Sequence, residues 1–95
     1  MFASKHANDF IKQYVRDRDD AVFKSVETDT IKPFKDFVES YKPYGIYPPC
    51  FELASDDVIK ITIRKMAYHC INLPQETRDK AEAWLLAHGS NTDLD

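Results

Sequence analysis

Four side chains in this sequence are of the types that bind zinc or act as nucleophiles, namely Cys50, His69, Cys70 and His88. Structural zinc sites take their ligands in closely spaced pairs such as Cys-x-x-Cys, and no such pair occurs here. Adjacent side chains on a helix point about 100° apart, so His69 and Cys70 do not readily share one ion. We therefore expect neither a metal nor another cofactor.

Covalent or acid–base catalysis has as little support in the residue pattern. No local signature brings Cys50 or Cys70 together with a histidine base, and two glycines are too few for a phosphate-binding loop. The neighbouring carboxylates Asp56 and Asp57 suit the first turn of a helix, where exposed N–H groups favour negative charge. The sequence thus predicts a protein without catalytic activity.

Length and composition are those of one ordinary globular domain. The chain has 95 residues, of which 43% are hydrophobic and 31% are charged, and its net charge of −3 argues against a general polyanion binder. We expect a single helical domain over residues 1–89 and a frayed polar tail over residues 90–95. No apolar run reaches membrane-spanning length, and no signal region is recognisable, so we expect no membrane contact and a cytoplasmic location with reduced thiols.

The longest apolar-rich stretch, residues 55–73, can be read in two ways. Ile59, Ile61 and Ile63 alternate with polar residues, which is typical of a strand. Apolar residues spaced four and three apart also form one stripe of an amphipathic helix: Ile59, Ile63, Met66, Cys70 and Leu73. Because the alternation stops at Arg64 and the stripe continues, the pattern predicts a helix, and a strand over residues 58–64 is the alternative.

Three further segments carry helical periodicity. The first covers about residues 5–27 and could break near Asp19–Asp20, and the second ends near Tyr41. The first carries an apolar stripe at helical spacing, expected to face the core, with Ala7, Phe10, Ile11, Tyr14 and Val15. The last runs from Pro74 to Gly89, a residue suited to a left-handed helix end.

Trp84 is the expected core anchor of the last helix. Residues 42–54 form a loop rich in proline and tyrosine. The fold prediction is all-α: a compact bundle of four helices, or five if the first one breaks.

The side of the 55–73 helix away from its apolar stripe is both basic and aromatic. On a helical wheel it collects Lys60, Ile61, Arg64, Lys65 and Tyr68. One interpretation is a helix covered on both sides, with the stems of Lys and Arg lying along apolar surface. The other is a contact face for a partner, to which Tyr44 and Tyr47 of the loop would add aromatic rings.

Twelve aromatic residues are more than one small core readily hides, and aromatics are enriched at interfaces. We therefore predict a protein–protein interaction or accessory module that binds a protein partner or, as a homodimer, itself. The alternative is a small regulator that binds DNA or RNA through the same basic face.

Overall fold

In the part of the chain that the structure describes, all regular elements are helices. The computed structural model describes residues 2–45 and 55–93, and its four α-helices are α1 (Phe2–Thr28), α2 (Lys32–Tyr41), α3 (Asp56–His69) and α4 (Gln75–Ala87). A short 3-10 turn, Lys42–Tyr44, continues α2. No strand occurs in these two ranges, so the all-α prediction is confirmed and residues 58–64 are helical.

The longest helix, α1, runs without a break through Asp19–Asp20. Within the described ranges, none of the helices combines the length and the apolar character that crossing a membrane requires.

The turn between α1 and α2 is fixed by backbone and side-chain hydrogen bonds. Asp29 has a positive φ of 52°, a conformation that aspartate tolerates better than most residues. It allows the Thr30 N–H to reach the Ser25 carbonyl at 3.2 Å, which closes the end of α1. The buried Ser25 hydroxyl then accepts the N–H of Phe34 at 3.1 Å. A serine from α1 therefore accepts a hydrogen bond from the first turn of α2.

Local hydrogen bonds close the N-terminus of α3 and the C-terminus of α4. The Ser55 hydroxyl accepts the Val58 N–H at 3.3 Å and caps α3, with Asp56 and Asp57 in the first turn. Gly89 adopts a φ of 69°, and the Ser90 N–H reaches the Leu85 carbonyl at 2.9 Å to close α4.

The core lies where α1, α3 and α4 meet and extends along α2. Its buried apolar residues are Ala21, Val22, Val26, Phe34, Phe37, Tyr41, Ile59, Ile63, Ala67, Leu73, Ala81 and Leu85. On α4 the fully buried anchor is Leu85, whereas Trp84 is only half-buried, so the predicted role of Trp84 was wrong. Trp84 lies instead at the edge of the core.

Aromatic rings hold α2 against the N-terminal half of α1. The ring of Tyr41 lies 5.1 Å from that of Tyr14 and 5.8 Å from that of Phe10, both in edge-to-face geometry. The Tyr41 hydroxyl donates a 2.7 Å hydrogen bond to Asp17 on α1. This hydrogen bond, together with burial, raises the pKa of Tyr41 to about 12.

Leu85 and Leu86 are adjacent on α4 and provide a matched test of this packing. We expect Leu85→Ala to lower the free energy of unfolding by about 2–5 kcal/mol, because Leu85 is fully buried. Leu86→Ala should change it by less than about 0.5 kcal/mol, since Leu86 is 64% exposed. Denaturant unfolding of both variants measures the difference, and equal losses would contradict the assignment of the core face of α4.

The Tyr41–Asp17 hydrogen bond predicts an alkaline loss of stability. The folded protein keeps the Tyr41 proton up to about pH 12, whereas the unfolded chain loses it near 10.0. The stabilisation is therefore complete below pH 10 and disappears as the pH rises toward 12. Tyrosinate absorbance should show a step near pH 12 that loses amplitude in Tyr41→Phe and keeps it in Tyr68→Phe. A step near pH 12 that keeps its full amplitude in Tyr41→Phe would refute the assignment.

Candidate interaction surface

The residue expected at the centre of the basic face is buried. The Arg64 side chain is only 2% exposed, and α3 turns Ile59, Ile63, Arg64 and Ala67 toward the interior. Met66, part of the predicted core stripe, is only half-buried. The buried side of α3 is therefore rotated toward Arg64, and the predicted position of Arg64 on an exposed face was wrong.

Arg64 lies between the α1–α2 turn and α4. One terminal nitrogen donates to the Asp29 carboxylate at 2.6 Å, and the guanidinium carbon lies 4.6 Å from the centre of the Trp84 ring. The Trp84 ring also stacks on His88, with ring centres 3.8 Å apart. Burial lowers the pKa of Arg64, and the nearby Asp29 charge opposes this effect. The cation thus joins three separate elements through one ion pair and one cation–π contact.

Two nitrogen atoms of this guanidinium, Nε and Nη1, are buried and have no hydrogen-bond partner among the described residues. An unpaired buried donor costs about 1–3 kcal/mol. Arg64 therefore contributes less to net stability than its contacts suggest.

The other predicted contact residues on α3 keep partial exposure. Lys60, Ile61, Lys65 and Tyr68 are each half-buried. The Tyr68 carbonyl accepts a 3.3 Å hydrogen bond from Arg78 on α4. These four residues share one helix, but they do not form the continuous free face that the helical wheel suggested.

Of the two loop tyrosines in the prediction, the structure describes only Tyr44. Tyr44 is 64% exposed, and its ring contacts Phe10 and Tyr41 where the C-terminal end of α2 packs on the N-terminal half of α1. Tyr47 lies outside the described residues, as does Cys50.

A surface that the sequence did not indicate lies along α1. A groove of about 680 Å³ separates α1 from the connection between α3 and α4. Its floor and edges are formed by Ile11, Lys12, Val15, Arg16, Asp19, Asp20, Phe23, Asn72, Leu73 and Pro74. We call this surface the α1 groove. Ile11, at one end of it, is 56% exposed.

The connection between α3 and α4 forms the wall of the α1 groove, and specific contacts hold it against α1. Asp19 accepts hydrogen bonds from Arg18 at 3.3 Å and from the Asn72 side chain at 3.1 Å. The following residue, Leu73, is buried in the core. The connection between α3 and α4 is therefore fixed on α1 at the Asp19 end, so that the groove has a defined shape before anything binds.

A second pair of contacts keeps α4 in register with α1. Glu27 accepts a 3.0 Å hydrogen bond from the Thr77 hydroxyl and pairs with Lys80. Lys80 is the main cause of a lowered pKa of Glu27, and Thr77 adds to it. Since the folded pKa is lowered, this contribution to stability is present at neutral pH and is lost as the pH falls through the pKa of the folded state.

Sequence reasoning assigned Ile11 and Val15 to the core stripe of the first helix and therefore missed the groove. A usable signal exists in the neighbouring pairs Phe10–Ile11 and Tyr14–Val15. Two adjacent apolar residues per turn make a stripe wider than one packed neighbour covers. Phe10 and Tyr14 face α2, and their successors face the α1 groove.

Among the described residues, the Cys70 thiol lines a small cavity of about 190 Å³ together with His69, Asp19 and three neighbours. Burial raises the pKa of the Cys70 thiol, which lowers the fraction of the nucleophilic thiolate. No group of three or more His, Cys, Asp or Glu side chains in residues 2–45 and 55–93 is placed to hold a metal ion.

Comparison with known proteins adds no relative. No protein-family model matches the chain, and neither a curated protein nor a solved structure matches it.

A double-mutant cycle tests the environment of Arg64. We expect Arg64→Met to leave the free energy of unfolding unchanged or to raise it, because the change removes a buried charge with two unpaired donors. Asp29→Asn keeps a residue that tolerates positive φ but should cost about 1 kcal/mol when Arg64 is present. In the Arg64→Met background the same change should cost almost nothing. Equal costs in both backgrounds, measured by denaturant unfolding, would contradict the pairing.

Proposed function

We propose that the protein is an interaction module without catalytic activity, and that it binds a protein partner through the α1 groove. The observation that carries this proposal is a groove lined by Val15, Phe23 and Leu73 next to the exposed Ile11, with four charged residues along its α1 side: Lys12, Arg16, Asp19 and Asp20. An apolar centre with a polar rim is the usual anatomy of a protein interface.

The charged residues that line the α1 groove support the same conclusion. Lys12 and Arg16 are exposed, and neither forms an ion pair with a described residue. Their charges are available to a partner at no cost in lost internal contacts. Charges at an interface rim guide association and set orientation more than they add affinity.

The α3 residues Lys60, Ile61, Lys65 and Tyr68 remain proposed contact residues for a second, smaller area, and so does Tyr44. Their support is partial exposure combined with aromatic or basic character. The proposal also places the protein in the cytoplasm, where a reducing environment keeps a free thiol such as that of Cys70.

Binding of DNA or RNA has less support than binding of protein. The basic face proposed for it depended on three cations, of which the central one, Arg64, is buried against Trp84. The remaining Lys60 and Lys65 are half-buried, and the chain is acidic overall. Phosphate contacts need several exposed cations to give useful affinity.

A photo-reactive amino acid in place of Ile11 tests the proposed function. On illumination in the native cells, we expect one predominant covalent adduct that is degraded by protease and unaffected by nuclease. Changing Lys12 and Arg16 together to Glu should remove the adduct, because the charged rim would then repel the partner.

The same photo-reactive group in place of Lys35, an exposed residue of α2, is the matched control and should give no such adduct. A third position, Tyr68, reports on the proposed α3 contact area. The proposal is overturned if the Ile11 position yields no more adduct than the Lys35 position, or if its adduct is nuclease-sensitive.

A further inference from the structure

We propose that the occupant of the α1 groove is a second copy of this chain, paired about a two-fold axis with its own α1 antiparallel to the first. This inference rests on the proposed function and specifies its partner. A two-fold interface uses the same surface on both copies, so the surface has to be complementary to itself.

The order of charges along the α1 groove meets that requirement. Along the α1 side of the groove, Lys12 and Arg16 come first, and Asp19 and Asp20 follow one turn later. Both acidic residues also form ion pairs within α1, Asp19 with Arg18 and Asp20 with Lys24, and the Asp20 pair is exposed and therefore weak. With a rise of about 1.5 Å per residue, the centres of the basic and the acidic residues are separated by about 8 Å along α1. Antiparallel pairing brings the basic end of each copy to the acidic end of the other, whereas parallel pairing brings like charges together.

The shape of the α1 groove is also complementary to itself. Its wall contacts α1 at the Asp19 end, through Asn72, while Ile11 at the opposite end is exposed. Two-fold pairing places the open end of each copy against the wall of the other. Ile71, which is 82% exposed and precedes Asn72, lies next to that wall in the chain. Burial of Ile11 and Ile71 would add an apolar contribution that the charges alone do not provide.

Other occupants fit the groove less well. A peptide of one charge sign would meet a like-charged end of the groove, which costs binding energy. A small molecule is usually oriented by polar groups that converge inside a pocket. Here the cations are at the rim, and Asp19 already accepts hydrogen bonds from Arg18 and Asn72.

A charge-swap experiment tests the pairing directly. The first variant carries K12E and R16E, and the second carries D20K; Asp19 is left intact because it holds the groove wall. In sedimentation velocity, wild-type protein is expected to dimerise, and each variant alone should show a dissociation constant raised about a hundredfold. An equimolar mixture of the two variants should dimerise more tightly than either variant alone. At one end of the mixed pair, Lys12 and Arg16 again face Asp19 and Asp20, and at the other end the introduced lysine faces the two introduced glutamates.

The matched control carries K32E and K35E on α2, which changes the net charge as much as the first variant does. It should dimerise like the wild type, and circular dichroism should show that every variant retains its helix content. A wild-type chain that stays monomeric over the accessible concentration range overturns the second-copy proposal. Dimers that survive both variants, or a mixture that stays monomeric, overturn it as well.

The photo-crosslinking experiment separates this failure from a failure of the proposed function. An Ile11 adduct of twice the chain mass supports the second copy. An adduct with a different protein leaves the interaction module standing and overturns self-pairing. The absence of any groove-specific adduct, together with a monomeric wild type, overturns both.

Discussion

The buried guanidinium of Arg64 is the constraint on which the arrangement of the helices depends. Removing a charge from water costs several kcal/mol, and only part of that cost is recovered by Asp29 and the face of Trp84. The two partners come from the α1–α2 turn and from α4. Both contacts therefore form only in one orientation of α3 about its own axis. Arg64 thus contributes more to the choice of packing than to net stability.

The rotation of α3 determines the surface that the protein presents. With Arg64 inside, α3 ends so that Leu73 enters the core and Asn72 bonds to Asp19 on α1. The connection to α4 then stands beside α1 and forms the wall of the α1 groove. A rotation that placed Arg64 in solvent would also move this connection. The proposed binding surface is therefore a consequence of the same packing choice that buries the arginine.

Local signals were sufficient for the helices and their ends, but not for their faces. Ser55 and Gly89 act through neighbouring backbone groups, so their roles follow from sequence alone. Arg64 was assigned to the surface because hydropathy ranks arginine by its charge, and a stacked, ion-paired guanidinium escapes that ranking. Ile11 was assigned to the core because periodicity does not reveal how wide a stripe the neighbouring helix covers. Phe10, in the same turn, packs on Tyr41 of α2, whereas Ile11 faces the α1 groove.

Net charge and local charge order lead to different expectations about self-association. A net charge of −3 produces only weak repulsion between two copies, and salt screens it over about 10 Å. The charges that line the α1 groove act at contact distance and are separated by sign along one helix, so their order decides whether two copies attract. The acidic composition therefore argues against a polyanion partner without arguing against a second copy. This distinction makes the antiparallel pair the arrangement that satisfies both the composition and the geometry.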